Sequence, residues 1–116
     1  MVNRLDKLLE FLDNEPNDPF LKYALATEYL RLHNHEMALR FYLDLVEKHQ
    51  DYVGTYYHLG KLYELLQKPN QALEIYEKGI ETAKRIKDQH ALNELLGVYN
   101  SLLDEMEEWR NDGMGE

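Results

Sequence analysis

The chain has 116 residues, a net charge of −9 and no cysteine. That length supports one compact domain or a short array of repeats, and the missing thiols exclude disulfides and thiolate metal sites. The excess of 22 acidic over 13 basic residues disfavours nucleic acid and anionic membrane surfaces, because both are bound by exchanging counterions for lysine and arginine.

Hydrophobic content of 44% is ample for a core, and only three prolines and six glycines interrupt the chain. Such long uninterrupted stretches suit helices rather than a many-turned β fold. No apolar run approaches the ~20 residues needed to span a bilayer. The opening "MVNRLDKLLEFLDNEP" mixes charge into its apolar residues and lacks a small-residue cleavage site, so it does not read as a secretory signal. The expected setting is cytoplasmic.

The first predicted element is a helix over residues 3–15, with Leu8, Phe11 and Leu12 on one face and Pro16 just beyond. Asp18–Pro19 then gives a start signal, an N-cap followed by proline at the first helical position. Leu21, Leu25, Tyr29 and Leu32 mark the stripe of the second helix, with Ala26 beside it. After the turn "LHNHE", Ala38, Leu39, Tyr42, Leu45 and Val46 mark the third. Spacings of three and four are those of one helical face. Asp51 can cap a fourth helix carrying Tyr56, Leu59, Gly60, Tyr63 and Leu66, and Pro69 opens a fifth with Ala72, Leu73, Ile75, Tyr76 and Ile80. Asp88 can cap a sixth, with Leu92, Leu95, Leu96 and Tyr99, running to about Trp109. From Asp104 onward six acids face one base, which is expected to form a solvated helix end and a flexible acidic tail at 111–116.

These elements repeat. A shift of 34 residues aligns Leu25 with Leu59, Ala26 with Gly60, Tyr29 with Tyr63, Ala38 with Ala72, Leu39 with Leu73 and Tyr42 with Tyr76. Glycine in a helix interior costs roughly 1 kcal/mol relative to alanine, so Gly60 implies an offsetting contact. Folded as a helical hairpin, the small residues of the two helices can face one another, with the tyrosines filling the space on either side. The same register aligns the first helix with the third, Leu8 with Tyr42, Phe11 with Leu45 and Leu12 with Val46, as a second helix without its first. At the carboxyl end the shift becomes 36, and Leu96 occupies the small slot. Both ends therefore read as caps of a stacked array.

The pattern of Leu-small, tyrosine three residues later, alanine nine beyond and an aromatic four further, in "YALATEYLRLHNHEMALRFYLDL" and "YHLGKLYELLQKPNQALEIYEKG", resembles the tetratricopeptide repeat. The resemblance covers residues 19–86 as two complete repeats, 19–52 and 53–86, with cap helices at 3–15 and 88–109 in a single domain over 1–110. Lys22 departs from the bulky residue expected there, and Gln50 and Lys84 stand where a repeat usually ends in proline. The resemblance implies an all-α, right-handed superhelical stack of antiparallel helix pairs. It further implies a protein–protein interaction module without cofactor, whose first helices line a concave groove.

The lining positions are those left once the core stripe is assigned. They are Phe20, Tyr23, Thr27 and Leu30 in the first repeat, Gly54, Tyr57, Lys61 and Glu64 in the second, and His90, Asn93, Gly97 and Asn100 in the terminal helix. Tyr23 and Tyr57 are the leading contacts, because tyrosine brings a large rigid surface and a hydroxyl. Lys61, Asn93 and Asn100 could add hydrogen bonds to a peptide. Some relatives hold chaperone carboxylates with a basic clamp, but Tyr23, Thr27, His58, Ala91 and Leu95 stand at those positions, so that mode is not expected.

Catalysis is not expected either. Ser101 is the only serine, and no histidine lies at helical spacing from it, so no triad can be assembled. His33 and His35 flank a turn residue, but no further ligands complete a metal site. The expected partner is a protein or peptide. Self-association as a homodimer through Leu103, Met106 and Trp109 of the last helix is the alternative.

Overall fold

The computed structural model describes residues 3–114, with side chains as far as Asn111. Six α-helices and no strand occur among them: α1 (Arg4–Asn14), α2 (Pro19–Arg31), α3 (His35–Lys48), α4 (Gly54–Leu65), α5 (Pro69–Ile86) and α6 (Gln89–Met114). The chain divides into two compact units, Met1–Thr55 and Tyr56–Glu116.

Most helix starts carry the signal their sequence announces. The Asp18 carboxylate accepts from the backbone N–H groups of Phe20 and Leu21 at 2.9 and 3.4 Å, with Pro19 in the first turn. The Asp88 carboxylate accepts from Ala91 N–H at 3.0 Å. Asn3 and Asn34 cap α1 and α3 in the same way, at 2.8 and 3.1 Å. Each satisfies a donor that the first helical turn leaves orphaned. The fourth helix begins at Gly54, with Asp51 in the turn before it.

The turns between paired helices share one geometry. His33 and Gln67, 34 residues apart, both adopt left-handed backbone angles, with φ of 61° and 60°. Asn34 N–H then bonds Tyr29 O at 2.8 Å, and Lys68 N–H bonds Tyr63 O at 2.9 Å. These wraparound bonds satisfy carbonyls at the helix end. Lys87, at φ 63°, closes α5 likewise. The helices after the turns differ in length: α3 stops at Lys48, while α5 runs through Lys84 to Ile86. Only α5 runs past the position where a repeat usually ends in proline, Lys84; α3 stops before Gln50.

In the first unit, α2 packs against α3 and α1 against α2. Leu8, Leu25, Ala26, Ala38, Tyr42 and Leu45 are buried, and the Tyr29 ring stacks on Phe41 at 5.9 Å. In the second unit, α5 packs against α6, and Leu59, Leu62, Ala72, Tyr76 and Leu95 form the buried core. The sixth helix extends to Met114, over the first four positions of the expected acidic tail. The rest of that tail lies outside the described residues.

The contact that offsets Gly60 comes from Tyr76, one of the tyrosines expected to fill the space beside the small residues. A Cβ built on Gly60 would sit 2.0 Å from Cε1 of Tyr76, so the room is taken by the tyrosine ring lying over the helix. Gly79 is crowded too: its Cβ would lie 2.5 Å from Tyr56 Cβ and 3.0 Å from Leu95 Cδ1. Side chains of α4 and α6 therefore converge on α5 at this residue, where only glycine leaves space.

Candidate functional site

Each unit presents part of the expected wall. In the first, Phe20 is exposed and Leu30 half-buried. Tyr23 is half-buried, its ring edge-on to Tyr42 at 6.3 Å and tilted against Tyr52 at 5.8 Å. Much of its surface is thus packed inside its own repeat, through aromatic contacts of favourable geometry. Thr27 is exposed, and its hydroxyl lies 3.4 Å from that of Tyr42. Burial raises the Tyr42 phenol pKa, with the Thr27 hydrogen bond opposing it.

In the second unit, Tyr57 is half-buried with its ring 5.3 Å from that of His58. Burial lowers the His58 imidazole below the usual histidine range, against the opposing charge of Glu94. Lys61 is exposed and 3.9 Å from Glu64. Glu64 does not stand free on the wall, because it accepts a hydrogen bond from the Tyr76 hydroxyl. The Tyr76 phenol is pushed far up, first by burial and then by that bond to a carboxylate.

Along α6, His90, Asn93 and Asn100 are exposed. His90 lies 3.5 Å from Glu94, and Asn93 accepts from the Gln89 amide at 2.8 Å. Between Asn93 and Asn100 sits Gly97, where an added Cβ would meet nothing within 4 Å. Unlike Gly60 and Gly79, this glycine has no neighbour that requires it.

Two charged groups, Lys22 and Glu28, are buried. Lys22 is only 5% exposed. Its ammonium pairs with Asp44 at 2.7 Å and lies 3.3 Å from His49 Nε2, while Lys48 reaches the same Asp44 at 2.9 Å. Burial works to raise the Asp44 pKa, but the hydrogen bonds from Lys22 and Lys48 outweigh it and hold the carboxyl low. The buried Glu28 carboxylate is clasped by Arg31 at 3.1 and 2.5 Å and met by Arg4 at 3.3 Å. The Arg31 hydrogen bond leads in holding Glu28 below the usual carboxylate range.

Each unit also has a sizeable cleft. That of the first unit, about 510 Å³, is lined by Leu12, Pro16, Lys22, Arg40, Phe41, Asp44 and Lys48 among others. That of the second, about 580 Å³, lies among Glu64, Leu65, Pro69, Leu102, Glu105 and Trp109. Spacing alone marks Trp109 as surplus apolar surface but gives no hint of Leu65 or Glu105. Among the described residues no three His, Asp or Glu side chains gather to hold a metal ion, and no helix is long and apolar enough to cross a membrane.

Helical hairpins whose turns recur 34 residues apart, with a glycine under an aromatic ring, define a helical-repeat fold. Comparison with known proteins agrees. The tetratricopeptide repeat profile matches residues 53–85. The crystal structure of a tetratricopeptide repeat domain protein from Salinibacter ruber is 46% identical, with a TM-score of 0.72, over 75% of this chain and 97% of that one. A solution structure of such a domain from the same organism is 47% identical, with a TM-score of 0.73, over 75% and 88% of the two chains. A solution structure of a protein from Bordetella parapertussis shares the fold at 21% identity, with a TM-score of 0.77, over 90% and 91%. No curated protein matches. The chain belongs to the tetratricopeptide repeat family, whose fold serves protein–protein interaction.

Proposed function

We propose that this chain is a non-catalytic cytoplasmic adaptor that holds a peptide or helix of a partner protein along its first-helix faces. Gly97 carries the reading. A mid-helix glycine costs roughly 1 kcal/mol relative to alanine, yet nothing in the structure occupies the space it leaves. It sits in an exposed row with His90, Asn93 and Asn100, where a missing side chain lets another backbone approach closely. The half-buried ring of Tyr57 and the exposed Lys61 on α4 supply the anchor and the charge expected of such a wall.

The test is affinity capture of a binding protein with the parent chain and with Gly97→Ala, Tyr57→Ala and Lys61→Glu. Gly97→Ala should raise thermal stability while weakening capture, a combination that a purely structural glycine cannot give. Tyr57→Ala and Lys61→Glu should weaken capture with helicity retained. Normal binding by all three variants overturns the assignment of this face.

Self-association is the second reading, favoured by the exposure of Leu103 and Trp109 on α6. Light scattering over a range of concentrations decides it. A strict monomer, unchanged by truncation after Met106, disposes of the dimer.

A further inference from the structure

The cleft of the second unit combines features that the wall lacks. Leu65 and Trp109 on its rim are 59% and 63% exposed, while Leu102 within it is buried. Its two carboxylates converge. Glu64 accepts from the Tyr76 hydroxyl, and the charge of Glu105 acts on that same phenol. Lys61 approaches Glu64 only to 3.9 Å, and no cation pairs with Glu105 among the described residues. Elsewhere on α6, Asp104, Glu107 and Glu108 are also exposed and add to its negative charge. The result is an apolar cleft with an indole on one side and, on the other, two carboxylates of which Glu105 has no paired cation among the described residues. Its volume lies within the range of small-ligand pockets, enough for one or two anchoring side chains.

We propose that this cleft receives an arginine-bearing apolar segment of a partner protein, with a guanidinium against Trp109 and hydrogen-bonded to Glu105. Guanidinium stacks on aromatic faces and matches carboxylate geometry, both better than ammonium does. A second copy of this chain is the poorer occupant, because its own α6 surface is acidic and like charges brought together oppose docking. The inference rests on the interaction-module reading but uses a surface other than the Gly97 row.

Trp109 is the only tryptophan, so its emission reports on the cleft directly. The probes are short amphipathic peptides without tryptophan, identical except that the charged positions hold arginine, lysine or glutamate. The arginine peptide should give a saturable blue shift, the lysine peptide a weaker one and the glutamate peptide none. Glu105→Gln should weaken the arginine peptide roughly tenfold, and added salt should weaken it further. Equal responses to arginine and glutamate peptides, or no response to either, overturn the proposal. A blue shift on concentrating the protein alone, with a doubling of mass in light scattering, overturns it in favour of a second copy. Gly97→Ala should leave the peptide response intact. Loss of captured protein in that variant beside a silent Trp109 therefore sinks the cleft and spares the wall.

Discussion

Tyr42 and Tyr76 occupy the same place in the two repeats but lie in different beds. Beneath Tyr76 is Gly60, and its ring fills the space of the missing Cβ while its hydroxyl reaches Glu64. Tyr42 corresponds instead with Ala26, keeps Tyr23 at its edge and approaches the Thr27 hydroxyl. A second pair of positions makes the exchange plainer. In the second repeat a large residue, Tyr56, meets a glycine, Gly79. The matching positions in the first repeat are Lys22 and Leu45, both buried. Bulk has moved from one helix to the other. In a close-packed interior the two positions of a facing pair are tied together, so neither changes freely without the other.

The strongest way to break this comparison is Gly79→Leu, which gives the second repeat the first repeat's leucine without removing the facing tyrosine. The Cβ alone would lie 2.5 Å from Tyr56 Cβ, an atom held by its own backbone, so the clash cannot be relieved by rotating a side chain. Overpacking should cost about 3 kcal/mol or more. Tyr56→Ala alone should also cost about 3 kcal/mol through the cavity it leaves. Alanine keeps the crowded Cβ, so the double variant retains that part of the clash. The new leucine still fills the space the ring vacates, so this variant should melt above the temperature that additivity gives. Strictly additive melting temperatures would show that the two positions do not trade volume.

The first repeat can be probed through its buried charge. Asp44→Ala leaves the Lys22 ammonium buried with its carboxylate removed and should cost about 1–3 kcal/mol, less than a fully buried pair because Asp44 is partly exposed. Lys22→Met keeps the stem's volume, leaves Asp44 paired with Lys48, and should change stability by less than about 1 kcal/mol. The pH dependence follows from the lowered Asp44 pKa. A carboxyl that binds its proton more weakly folded than unfolded contributes fully above the ordinary value near 4. That contribution disappears as pH falls through the folded value. Acid melting of Asp44→Ala should therefore be flatter than that of the parent. An unchanged acid limb would remove Asp44 from the account.

These contrasts mark how far the sequence could be read. The helices, their apolar faces and the caps at Asp18 and Asp88 follow from spacing and short-range hydrogen bonds, which a single chain displays directly. The ring over Gly60 does not. A period says that Gly60 and Tyr76 recur in phase with Ala26 and Tyr42, but it carries no information about the torsion that swings the ring across. Lys22 reads as a departure from pattern, and its burial depends on Asp44, half a repeat away. Glu64 reads as a free wall residue because its partner, Tyr76, is assigned to the core. In the candidate site, Gly97 and Tyr57 are legible from helical phase. The Glu64–Glu105–Trp109 cleft is not, since it forms where α6, outside the two complete repeats, passes the turn between α4 and α5.

The smallest expected effect tests where the repeats agree. His33 and Gln67 hold left-handed backbone angles, which cost an L-residue roughly 1–2 kcal/mol. Glycine adopts them freely but loses more entropy on folding, by roughly 0.4–1 kcal/mol. The difference predicts that His33→Gly and Gln67→Gly each stabilise the protein by about 0.5–1 kcal/mol. Both turns close with the same wraparound bond, at 2.8 and 2.9 Å, so the two gains should be alike and should add. A gain at Gln67 alone would mean that His33 makes a stabilising contact that glycine forfeits. Its ring does lie 6.3 Å from that of His35. His35→Ala should then abolish the difference between the turns, and if it does not, the backbone angles are not what the substitutions relieve.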